Sequence, residues 1–66
     1  MTWRETQSIQ KGDTLHNLAR GHRVVVLRVD YAGCSVMGER GTGPYYLPWR
    51  TLQGYGIASR GSKVNA

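Results

Sequence analysis

Nine glycines interrupt this chain of 66 residues, and six of them fall between Gly12 and Gly43. A glycine inside a helix costs about 1 kcal/mol relative to alanine, so spacing this dense works against long helices. The runs between the glycines are short and rich in Val and Tyr, which is the composition of strands. An all-β domain of about five short strands is the expected product.

The strands can be placed from the turn signals. Gly12-Asp13 is a turn, and a first strand is expected over Thr14–Leu18. Arg20-Gly21-His22 turns the chain into the clearest strand, Arg23–Asp30, where Val24, Val25 and Val26 are consecutive β-branched residues. Side chains alternate across a strand. We assign Val25, Leu27 and Val29 to the core face and Val24, Val26 and Arg28 to the other. Tyr31-Ala32-Gly33 leads into a third strand at Cys34–Arg40, and Gly41-Thr42-Gly43-Pro44 is the strongest loop signal in the chain. A fourth strand is expected at Tyr45–Leu47, ended by Pro48, which cannot donate to a ladder. Pro48–Leu52 fits one 3₁₀ or helical turn with the proline in its first position. A last strand follows at Tyr55–Ala58. Thr14–Arg20 also reads as a short helix, N-capped by Asp13 or Thr14 and closed by Gly21 at C′. The expected core is Leu15, Leu18, Val25, Leu27, Val29, Val36, Leu47, Trp49, Leu52 and Ile57.

Size bounds the function. A domain this small buries only about 60 % of the surface that its unfolded chain exposes, and deep clefts need more walls. An enzyme is not expected unless several copies share a site; homo-oligomeric assembly is left open. Cys34 is the single cysteine, so no intrachain disulfide is available. A lone thiol suits the reducing cytosol, and free cysteine packs as a small hydrophobe. Residues 1–11 lack the apolar core of a signal peptide. The longest apolar run, Val24–Leu27, falls far short of the roughly 20 residues that cross a bilayer. A cytoplasmic location, away from membranes, is the expectation.

Three zones follow: a polar arm over residues 1–8, an apolar-rich domain over 9–58, and a small, polar, frayed tail over 59–66. The middle zone resembles a small SH3-like barrel of the kind found among phage and prophage proteins. Strand spacing and the string Tyr45-Tyr46-Leu47-Pro48-Trp49 carry this resemblance. It implies a barrel with a one-turn helix before the closing strand. A second string, Lys11-Gly12-Asp13-Thr14-Leu15, looks like the opening of a LysM repeat, which would make Thr14–Arg20 a helix. That likeness stops at Ala19. Gly21 then leads at once into the valine-rich strand, where the family continues with a second helix.

No cofactor or metal is implied. His16, His22 and Cys34 are irregularly spaced, whereas structural zinc wants four paired ligands; the histidines read as exposed turn residues. Glu5, Asp13, Asp30 and Glu39 are scattered, and turn chemistry accounts for Asp13 and Asp30. Gly38–Gly43 lacks the Gly-Lys-Ser/Thr ending of a phosphate loop.

The most informative pattern is aromatic plus arginine. Nine basic residues face four acidic ones, giving a formal charge of +5, and such a balance favours polyanions or an acidic protein partner. Tyr31, Tyr45, Tyr46, Trp49 and Tyr55 interleave with Arg28, Arg40 and Arg50. Bases stack on such rings while phosphates pair with such cations. The same residue types dominate protein interfaces. The expected binding set is Arg23, Arg28, Arg40, Tyr46, Arg50 and Tyr55, with one of Tyr45 and Tyr46 facing in and the other out. A nucleic-acid-binding or regulatory accessory module is the leading expectation. The alternative is a module that docks on an acidic host protein and modulates it.

Overall fold

The computed structural model describes residues 2–61. Its elements are α1 (Trp3–Thr6), β1 (Thr14–Asn17), β2 (Arg23–Val29), β3 (Gly33–Gly38), β4 (Tyr45–Pro48), α2 (Trp49–Leu52) and β5 (Tyr55–Ser59). The strands form one antiparallel sheet in the order β4-β3-β2-β1-β5. Four strands meander, one helical turn crosses back, and the last strand returns beside the first. This is a small all-β, barrel-like fold with the layout expected from the glycine and proline signals. The barrel is not closed, because β4 and β5 share no ladder.

The core is Ile9, Leu15, Val24, Val26, Cys34, Val36, Leu52 and Tyr55, with Leu47, Trp49 and Ile57 packed against it. The core phase of β2 is therefore the reverse of the expected one. Val24 lies opposite Leu15 and Val26 opposite Val36, both buried partners, while Leu27 and Val29 are each 38 % exposed. Cross-strand partners share a face, and these partners set the phase. A bulge between Val26 and Arg28 then resets the alternation, placing Val29 opposite buried Cys34 at the rim.

Thr14–Asn17 is a strand, so neither the helical alternative nor the LysM likeness holds there. The strand ends at Asn17 because its side chain accepts from the N–H groups of Ala19 and Arg20, folding the chain into a turn. Leu18 sits in that turn, 60 % exposed, and not in the core. Pro48 closes β4 and is the N-cap of α2, one position before its expected place. The leading arm contains α1, held by a capping box: Glu5 N–H donates to Thr2 Oγ1 (3.1 Å) and Thr2 N–H to Glu5 Oε1 (2.8 Å). At the other end of the chain Ser59 completes β5, and Arg60 and Gly61 bond to Asp13. The remainder of the expected tail, 62–66, lies outside the described residues.

One glycine is dictated by close approach. A Cβ on Gly33 would collide with the Leu47 carbonyl oxygen and lie 2.7 Å from Pro48 Cα, so only glycine lets β4 pack there.

Candidate functional site

The two ends of the barrel differ, and strand register shows how. One end carries the start of β1, the end of β5 and α1. Asp13, 0 % exposed, is the hub of that end. Its carboxylate accepts from Gln10 N–H (2.9 Å), Gly61 N–H (3.1 Å) and the Arg60 guanidinium (3.1 Å). Arg60 also donates to the Ser8 carbonyl and hydroxyl, both at 2.9 Å. These bonds tie both chain ends over the core, and buried Thr6 and Ile9 belong to the same cap.

The opposite end is open. The pairs Asn17↔Tyr55, His16↔Arg23, Val24↔Gly38 and Val36↔Tyr45 bring the β1–β2 turn, the β3–β4 tip and the start of β5 together. A cleft of about 700 Å³ opens among them, within the roughly 300–1,000 Å³ range of ligand sites. Buried Val24 and Val36 supply apolar lining, with Leu47 beside them. Tyr55, nearly buried, and half-exposed Tyr45 add aromatic surface. His22, Arg23, Arg40 and Glu39, all exposed, also line the cleft. The tips are braced: Glu39 N–H donates to the Arg23 carbonyl (3.1 Å) and Gly38 N–H to that of Thr42 (2.7 Å).

Of the expected binding residues, Arg23, Arg40, Tyr46 and Tyr55 line this cleft, and Arg28 and Arg50 do not. Arg28 and Tyr46 are both opposite Ser35, forming a row across the face away from the core. The Tyr46 hydroxyl donates to Asp30 Oδ1 (2.8 Å). That bond pushes the phenol up to about 12 and holds Asp30 below its ordinary range, helped by the N–H of Ala32. Tyr46 is thus tethered, which makes it a poorer stacking platform than its exposure suggests. Tyr45 and Tyr46 do alternate, with Tyr45 opposite buried Val36, yet both stay about half exposed because β4 is an edge strand.

Sequence reasoning passed over His22 and Glu39 as binding residues, and it placed Tyr45 in the aromatic pattern but not in the binding set. The signal was present in the hairpin register: a turn ending in His22-Arg23 must face the tip that carries Glu39-Arg40 once β2 and β3 pair. Cys34 is buried, and desolvation pushes its thiol up to about 11, so it is no nucleophile at neutral pH. Among the described residues no group of His, Cys, Asp and Glu could hold a metal ion, and no helix is long and apolar enough to cross a membrane. The chain matches no family model, no curated protein and no solved structure.

Proposed function

We propose that the open end of the barrel binds single-stranded nucleic acid, making the protein a small nucleic-acid-binding accessory module and not an enzyme. The observation that carries this reading is the convergence of Arg23, Arg40 and His22 around a cleft lined by Tyr45, Tyr55, Val24 and Val36. Rings and an apolar floor accept a base, whatever its sequence, and the arginines meet the phosphates beside it. A duplex keeps its bases stacked and cannot offer one to such a cleft without first extruding it.

A second reading has its own observation. Tyr31 is 93 % exposed on a turn held rigid by hydrogen bonds. Ala32 and Gly33 N–H donate to Asp30 Oδ1, each at 2.9 Å, and Trp49 Nε1 donates to the Tyr31 carbonyl at 2.7 Å. A preorganised aromatic near Arg28 and Arg50 suits an acidic protein partner, which the module would then modulate.

Titration of DNA and RNA single strands against rising salt tests the first reading. Two arginine–phosphate contacts give a log–log slope of about −1.4, because each contact on a single strand contributes about −0.7. Arg23→Ala and Arg40→Ala should each weaken binding and flatten that slope, and Tyr45→Ala should cost about 1–3 kcal/mol. Affinity no better than about millimolar at physiological salt would end the nucleic-acid reading, since even nonspecific binders reach about 10⁻⁴–10⁻⁶ M.

A further inference from the structure

We infer that the cleft holds a single everted base together with its flanking phosphates, prefers bases that carry an exocyclic amine, and reads that amine with Glu39. This rests on the nucleic-acid reading above and narrows it to a ligand class. The first argument is the distribution of charge. The arginines lining the cleft come from two neighbouring tips, Arg23 (beside His22) from one and Arg40 from the other. Arg28 and Arg50 stand outside it, so the arginines do not form a track along the barrel. A strand following the sheet past Tyr46 would meet the Asp30 carboxylate, which its hydrogen bonds keep ionised. The far end is sealed by the Asp13–Arg60 clasp, whose guanidinium is already bonded to Asp13 and Ser8. A phosphate backbone entering the cleft therefore meets Arg23 and Arg40 at its mouth, which suits contact with about two or three nucleotides.

The second argument is chemical. Glu39 is the only acidic residue among those lining the cleft, placed beside Arg40 on a tip fixed to the β1–β2 turn through the Glu39 N–H. A carboxylate only accepts hydrogen bonds. Placed among arginines it weakens general phosphate attraction, yet it pairs with the amino group of cytosine, which thymine and uracil lack. The adenine and guanine amines can serve in the same way on a splayed-out base.

Calorimetric titration with the DNA trinucleotides TTT and TCT and with dodecamers of T and of C tests both parts. TCT should bind on the order of 5- to 10-fold tighter than TTT, the lower end of what one good base contact provides. Glu39→Gln should remove that preference, because an amide both donates and accepts, while leaving TTT binding unchanged or tighter. The C dodecamer should exceed TCT only by the larger number of registers that it offers. Arg28→Ala and Arg50→Ala should leave every affinity unchanged. Equal binding of TTT and TCT overturns the role of Glu39. Affinity that climbs with length beyond the register count, or that falls in the Arg28 and Arg50 variants, overturns the single-base site and leaves nucleic-acid binding standing. If neither dodecamer binds, the parent reading falls and this one falls with it.

Discussion

At the scale of single residues, the carboxylates divide by task. Asp13 is a buried anion met by one guanidinium and two backbone N–H groups. Arg60 is 40 % exposed, so removing the carboxylate strands no buried charge; the loss is three hydrogen bonds to a charged group, each worth about 1.5–3 kcal/mol. Asp13→Ala should therefore lose most of the stability of so small a domain, read as a large fall in the urea midpoint. Asp30 is half-buried and serves a turn. Its folded pKa lies below the ordinary 3.8, so its contribution is present above pH 3.8 and is lost as pH falls through the lower, folded value. Tyr46→Phe removes the largest cause of that shift, and an NMR titration should show the Asp30 carboxyl moving back up toward 3.8. That substitution should leave oligonucleotide affinity nearly unchanged. Turn chemistry for Asp30 was legible in Asp30-Tyr31-Ala32-Gly33. The burial of Asp13 was not, because its partners Arg60 and Gly61 lie 47 and 48 positions away in the chain.

At the scale of elements, strand positions were legible and strand phase was not. Val24-Val25-Val26-Leu27 is apolar at every position, so alternation alone cannot say which pair faces in. Pairing with Leu15 and Val36 decides it, and a one-residue bulge then shifts the rest of β2. The rank order of truncations follows. Val26→Ala should cost on the order of 2 kcal/mol as a buried methyl deletion. Leu27→Ala, at a site 38 % exposed, should cost less despite the larger side chain. Chemical denaturation of both variants gives the comparison, and a larger loss for Leu27 would contradict the observed phase. The helix α1 was legible in the Thr2-x-x-Glu5 capping box, but four residues carry no apolar periodicity to draw attention to it. The hairpin tips were recognised as turns. Their convergence into one site needed the register, which is why His22 and Glu39 were passed over while Arg23 and Arg40 were found.

At the scale of the whole molecule, the asymmetry of the barrel matters most. One end is sealed by α1, Ile9 and the Asp13–Arg60 clasp, and the other is left open by a sheet that does not close. The sealed end joins residues 8–13 to Arg60 and Gly61 by hydrogen bonds, beside a core that is small at this chain length. The open end supplies a concave, partly apolar, cation-rimmed surface. The aromatic-plus-arginine pattern in the sequence merges two places: the mouth, with Arg23, Arg40 and Tyr55, and the Tyr31–Trp49 turn, with Arg28; Tyr46 lies between them, lining the cleft while its hydroxyl donates to Asp30. Only three-dimensional register separates them, and the two readings of function divide along the same line. Backbone amide chemical-shift mapping during addition of a cytosine-containing trinucleotide tests the central claim most directly. The account predicts shifts confined to residues 21–24, 38–46 and 55–56, around the mouth. Shifts concentrated at 28–35 and 49–51, or none at millimolar ligand, would contradict it.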